Sequence, residues 1–107
     1  MTDVLDRMRS DLRDAMRARD RDAVTALRTA LAAVANAEAP ADDGTHAPVH
    51  GRLVDHERLV LTSDDVGRIL REQVADREDT IARLDGHGQD DAVRVLRAEI
   101  DVLRRYT

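Results

Sequence analysis

Aliphatic side chains recur every three or four residues in four separate segments of the chain, as in Val24, Leu27, Leu31 and Val34. This spacing places them on one side of an α-helix, and no segment shows the alternation that is typical of a strand. A chain of 107 residues has the size of one domain. We therefore predict a single all-α domain over residues 1–107, with a four-helix bundle-like fold. The predicted helices cover residues 3–19, 21–37, 63–85 and 89–105, and a long acidic loop covers residues 38–62.

Cap residues mark the ends of these helices. Thr2 and Asp20 are suited to cap the first and second helices, because their side chains can accept hydrogen bonds from unpaired backbone N–H groups. Thr62, followed three residues later by Asp65, resembles a capping box at the start of the third helix. We interpret the short link 86–88, Gly-His-Gly, as the end of that helix rather than as an anion site. A link this short predicts an antiparallel hairpin of the third and fourth helices.

The predicted loop differs from the helices in composition. Residues 38–65 hold two arginines and seven acidic residues, a balance of −5, which equals the formal net charge of the whole chain. Three of the four histidines also lie there, namely His46, His50 and His56. Imidazole and carboxylate groups together suit zinc or another divalent ion, but a metal site needs ligands held by rigid elements. We interpret this segment as a solvated polar loop and predict no bound metal.

Several function classes have no support in the sequence. Cysteine is absent, which excludes thiolate nucleophiles and disulfides, and the serines Ser10 and Ser63 lie outside any Gly-x-Ser-x-Gly motif. The chain contains neither a Walker motif nor Gly-x-Gly-x-x-Gly. No apolar run approaches the ~18–20 residues that span a membrane, and the first ten residues lack the apolar core of a signal peptide. We expect a cytoplasmic protein without catalytic residues or a cofactor.

Arginine side chains on the first two helices are candidates for binding. Arg9, Arg13 and Arg17 are four residues apart and share one side of the first helix, and Arg28 follows on the second helix. Arginine binds phosphate with two hydrogen bonds, so such a row suits a nucleic-acid backbone. However, aspartates are interleaved with these arginines, and the only aromatic residue is Tyr106. The charge pattern alone therefore favours a solvated face whose charges pair with one another.

Longer motifs resemble the GatB/YqeY family. They are Leu12-Arg-Asp-Ala-Met-Arg-Ala-Arg-Asp20, Leu27-Arg28, Leu31-Ala-Ala-Val-Ala-Asn36 with Glu38, and Leu61-Thr-Ser-Asp-Asp-Val66. The family pattern continues through Arg77, Ile81, Leu84, Gly88, Asp91, Glu99, Leu103 and Tyr106. The resemblance covers nearly the whole chain outside residues 38–60. Full-length relatives continue through Leu-Pro into a second small helical subdomain, so we expect this chain to be a short form without that tail.

The resemblance implies a helical domain akin to the C-terminal region of the GatB subunit of glutamine-dependent tRNA amidotransferases. In those enzymes this region contacts tRNA, and the chemistry, a carbon–nitrogen ligase activity with glutamine as amido-nitrogen donor, lies elsewhere. By resemblance, the family's basic positions are Arg13, Arg17, Arg28 and Arg77. Arg28 and Arg77 also interrupt apolar patterns, so either residue could instead brace the bundle by pairing with an acid such as Glu99.

Two functions remain open from the sequence. The first is a non-catalytic module that binds tRNA or an amidotransferase–tRNA assembly through its arginines, with candidate residues Arg9, Arg13, Arg17, Arg28 and Arg77. The second is a protein-interaction bundle, such as a homodimer, without affinity for nucleic acid. The net charge of −5 and the thin aliphatic core favour the second, and the family pattern favours the first.

Overall fold

All four predicted helices are present in a computed structural model of the chain, which describes residues 3–39 and 60–107. They are α1 (Val4–Ala18), α2 (Arg21–Glu38), α3 (Ser63–Leu84) and α4 (Asp90–Arg104). The described residues contain no strand, which confirms the all-α fold. Most of the segment predicted as an acidic loop, with its three histidines, lies outside the described residues.

The junction of α1 and α2 is held by hydrogen bonds to the backbone. Asp3, rather than the predicted Thr2, caps α1, because its carboxylate accepts from the backbone N–H of Leu5 at 3.2 Å. Arg19 ends the helix in the left-handed conformation, with φ of 58°. The next residue, Asp20, has two roles. Its backbone N–H donates to the carbonyl of Ala15 at 3.0 Å, and its side chain caps α2, as predicted from the sequence.

The predicted capping box at the start of α3 is confirmed. The backbone N–H of Asp65 donates to the Thr62 hydroxyl at 3.1 Å, and the backbone N–H of Thr62 donates to the Asp65 carboxylate at 2.9 Å. These bonds, with Arg68 nearby, hold the pKa of Asp65 below its usual value. At the other end of α3, Gly86 and Gly88 both have positive φ, 76° and 71°, and turn the chain into α4.

The core lies around α2, which contacts each of the other three helices. Its aliphatic side chains interlock with those of the other helices, and the largest fully buried ones are Met8, Leu27, Leu70, Leu103 and Val34. Toward the end of α4, Ile100, Val102 and Leu103 are buried, whereas Val95 near its start is 37% exposed. The last turns of α4 are therefore buried in the core, whereas its first turns are more open.

Candidate nucleic-acid interface

Three arginines lie on one side of α1. Because Arg9, Arg13 and Arg17 are one helical turn apart, their side chains share a face, and all three are exposed. Two of them pair with acids of the same helix: Arg9 with Asp6 at 3.3 Å and Arg17 with Asp14 at 3.5 Å. Arg13 has no ion pair among the residues that the structure describes.

Arg28 on α2 joins this row through a contact with Met16. Its Nη2 group lies 4.0 Å from the Met16 sulfur. Met16 follows Arg13 by three residues and Arg9 by seven, so it borders the same face of α1. The contact therefore brings Arg28 beside the α1 arginines. We call these four residues, Arg9, Arg13, Arg17 and Arg28, the arginine edge.

The electrostatics of the arginine edge leave it open to an anion. The acid partners of Arg9 and Arg17 are themselves largely exposed, with 62% and 68% of their side chains accessible. Ion pairs of this kind contribute about 0–1 kcal/mol, so a phosphate can replace the carboxylate at small cost. Arg13 and Arg28 have no carboxylate to give up within the described residues. Chemically, the edge can supply up to four guanidinium groups to phosphate oxygens.

Arg77 lies elsewhere, inside the bundle. Its Nε donates to Glu99 Oε1 on α4 at 2.9 Å, and only 10% and 8% of the two side chains are exposed. Nη2 donates to the Thr29 hydroxyl on α2 at 2.8 Å, and Nη1 donates to the Gln73 backbone carbonyl at 3.1 Å. We call these four residues the Arg77 cluster. Arg77 thus pairs with Glu99, which was one of the two arrangements open from the sequence, and with Thr29 it braces three helices. It is not part of the arginine edge.

A third cluster, which the sequence did not reveal, ties the chain end to α1. The Tyr106 hydroxyl donates a hydrogen bond to the Asp11 carboxylate, and the Arg7 guanidinium lies 5.4 Å from the centre of the Tyr106 ring. Partial burial, then the hydrogen bond to Asp11, raises the pKa of Tyr106 from 10.0 to about 12. Asp11 is two residues from both Arg9 and Arg13, so this contact lies on the opposite side of α1. The only feature of the sequence that could have pointed to this contact is that Tyr106 is the single aromatic residue of the chain.

The other sequence-based candidates add no site. The histidines His46, His50 and His56 lie outside the described residues. Within the described part of the chain, no three histidine, aspartate or glutamate side chains are placed to hold a metal ion. Of the helices in that part, none is long and apolar enough to cross a bilayer.

Comparison with known families agrees with the motif pattern and with the helical fold. The family described as Yqey-like protein matches residues 5–107. The chain belongs to the YqeY-like family. The match runs through α1 to α4 and includes the arginine edge, the Arg77 cluster and Tyr106. Comparison with curated proteins and with solved structures gives no match.

Proposed function

We propose that this YqeY-like chain is a non-catalytic tRNA-binding module that acts with a glutamine-dependent tRNA amidotransferase, and that the arginine edge contacts the tRNA. The observation that supports this most directly is the position of Arg13 and Arg28. Both are exposed, both are on the family's basic positions, and neither has an acid partner among the described residues. We take the identity of the ligand, tRNA, from the resemblance of the chain to the tRNA-contacting region of GatB.

The charge distribution supports a local contact rather than general attraction to polyanions. The chain is acidic overall, but residues 1–37, which form α1 and most of α2, hold seven arginines and six aspartates. Binding must therefore come from the arrangement of a few arginines and not from net charge. If all four arginines of the edge contact phosphates, affinity should fall by roughly 100-fold between 50 and 200 mM salt, because each contact releases condensed counterions.

The test is a titration of labelled bulk tRNA with the purified protein, followed by fluorescence anisotropy at low and at physiological salt. We expect salt-dependent binding of the wild type. The double variant Arg13→Ala/Arg28→Ala should bind more weakly and show a salt slope smaller by about two, one for each lost contact.

A matched control removes the same charge elsewhere. Arg83 near the end of α3 and Arg97 in the middle of α4 are exposed, and neither has an ion pair in the described parts of the chain. The variant Arg83→Ala/Arg97→Ala should bind tRNA like the wild type. Equal losses in the two double variants would mean that net charge and not the arginine edge governs binding. No binding by the wild type at low salt would reject the module as a tRNA binder on its own.

A second candidate function, interaction with another protein or with a second copy, is favoured by a groove between α3 and α4. The groove has a volume of about 550 Å³, and its apolar floor includes Ile81, Val93 and Ile100. Charges of both signs surround it, among them Glu78 and Arg97. Sedimentation equilibrium of the protein, combined with the tRNA titration, separates the two candidates. A strict monomer that binds tRNA supports the first candidate. A dimer that does not bind tRNA supports the second.

A further inference from the structure

We propose that the arginine edge binds the phosphates of base-paired RNA and not unpaired bases, so that it recognises a stem by its regular backbone and independently of its sequence. This inference rests on the proposed function and names the part of the RNA that the edge contacts. It follows from the arginine side chains of the edge and from the residues next to them.

Recognition of unpaired nucleotides depends on stacking, which the edge lacks. Proteins that bind single strands place aromatic rings against the bases, and each stacked base is worth about 1–3 kcal/mol. Tyr106 is the only aromatic residue of the whole chain. Its hydroxyl is bound to Asp11 and its ring faces Arg7, on the side of α1 opposite the arginine edge. No aromatic ring can therefore reach a nucleotide at the edge.

Guanidinium groups can also stack on bases, but three of the four at the edge are held along the protein surface. Arg9 and Arg17 are drawn toward acids of their own helix, and Arg28 lies against the Met16 sulfur. Phosphate oxygens can replace these partners through the same N–H groups. Only Arg13 has no such contact among the described residues.

The spacing of the edge suits a regular backbone. Successive arginines on α1 are separated by four residues, which is about 6 Å of helix rise. Cations that are evenly spaced along a helix match a strand whose phosphates are evenly spaced, and base pairing is what makes that spacing regular. On α2 the exposed neighbours of Arg28 are small, Thr25 and Ala32, three residues before and four after it. Small side chains allow a broad backbone surface to approach the helix closely, as in shape-based recognition of paired RNA.

The experiment is a competition against labelled bulk tRNA, with fluorescence anisotropy as the readout at low salt. The unlabelled competitors are an RNA hairpin with a long stem, a second hairpin with the stem sequence permuted, and an unstructured RNA of the same length. We expect the two hairpins to compete equally, and each to compete at least roughly fivefold better than the unstructured RNA, because only the stem presents a regular phosphate row. In direct titrations, Arg13→Ala/Arg28→Ala should weaken binding of both hairpins by the same factor, and Arg83→Ala/Arg97→Ala should weaken neither.

The possible failures are distinguishable. If the unstructured RNA competes as well as the hairpins, or if the two hairpins differ severalfold, the inference is overturned while tRNA binding stands. If labelled tRNA does not bind at all at low salt, the proposed function itself fails.

Discussion

Arg28 and Arg77 interrupt apolar patterns in the same way, yet the molecule places them in opposite environments. Arg77 is 9% exposed and makes hydrogen bonds to residues of α2, α3 and α4. Arg28 is exposed, and its one described side-chain contact is with the Met16 sulfur. The difference lies in the partners that the neighbouring helices offer. A guanidinium can be buried only where an acid and further acceptors surround it, and Glu99, Gln73 and Thr29 do so for Arg77.

Arginine therefore has two roles in this molecule. The Arg77 cluster is internal and complete, because no buried side-chain polar atom in the described residues lacks a hydrogen bond. The arginine edge is external and incomplete, because two of its four members, Arg13 and Arg28, have no acid partner among residues 3–39 and 60–107. Variants of the first should therefore change the free energy of unfolding, and variants of the second should change affinity for RNA.

The largest expected effect is on stability, from removal of one member of the buried pair. Arg77→Ala leaves the Glu99 carboxylate buried without its cation and should lower the free energy of unfolding by about 3–5 kcal/mol. A domain of this size has a total of only about 5–15 kcal/mol, so the variant should lose a large fraction of its stability. Urea unfolding followed by circular dichroism measures the change. A loss below about 1 kcal/mol would contradict the assignment of Arg77 as a brace.

Removing both charges together should recover most of that loss. Arg77→Met with Glu99→Leu leaves no unpaired charge, and the Thr29 hydroxyl keeps a bond to the backbone carbonyl of Thr25 at 2.9 Å. Replacing a buried ion pair with apolar residues of similar size is often neutral or stabilising, so the double variant should be more stable than either single variant by roughly 2 kcal/mol or more. Urea titrations of the wild type, of the single variants Arg77→Met and Glu99→Leu, and of the double variant form a double-mutant cycle. A double variant as unstable as Arg77→Ala would show that the pair itself stabilises the fold.

Local signals in the sequence predicted the helices well. The side chains of Asp20, Thr62 and Asp65 can reach backbone N–H groups within three residues, so these caps depend on neighbours along the chain. The failure at the start of α1 is equally local. Two adjacent residues, Thr2 and Asp3, can both serve as a cap, and the sequence does not distinguish between them.

Contacts between distant residues were predicted less well. The pair of Arg77 and Glu99 was open as an alternative because a charged residue in an apolar stripe needs an acid. The contacts of Arg28 with Met16 and of Tyr106 with Asp11 depend on how the helices cross, which periodicity does not specify. Val95 shows the same limit: it has the helical spacing of the apolar residues of α4, yet it is 37% exposed, whereas Ile100, Val102 and Leu103 are buried.

The contribution of Tyr106 to the free energy of unfolding should depend on pH and should be smaller than that of Arg77. Its pKa is raised from 10.0 to about 12 in the folded state, so folding is favoured by the protonated form. This contribution is fully present below pH 10 and is lost as the pH rises through 12. Because Tyr106 is partly exposed, we expect a loss of about 1 kcal/mol and not the full value of a two-unit shift.

The composition of the chain allows the titration of Tyr106 to be measured without interference from cysteine, lysine or a second tyrosine. It has no cysteine and no lysine, and Tyr106 is its one tyrosine, so no other side chain titrates between pH 9 and 12. Urea unfolding of the wild type and of Tyr106→Phe across that range should show a decline in the wild type only. Tyrosinate absorbance of the folded protein should give a midpoint near 12. A midpoint near 10 would mean that the contact with Asp11 is not held in solution.

The arginines of the arginine edge that lack an acid partner in the described residues should matter least for stability. Arg13→Ala and Arg28→Ala remove exposed side chains without an acid partner in the described residues, so each should change the free energy of unfolding by less than about 0.5 kcal/mol. The same urea titrations used for Arg77→Ala provide the measurement. Unchanged stability together with weakened tRNA binding would assign these arginines to the ligand. If Arg28→Ala destabilised the fold as strongly as Arg77→Ala, then Arg28 would be a second brace, the contact with Met16 would be structural, and the arginine edge would be reduced to the three residues of α1.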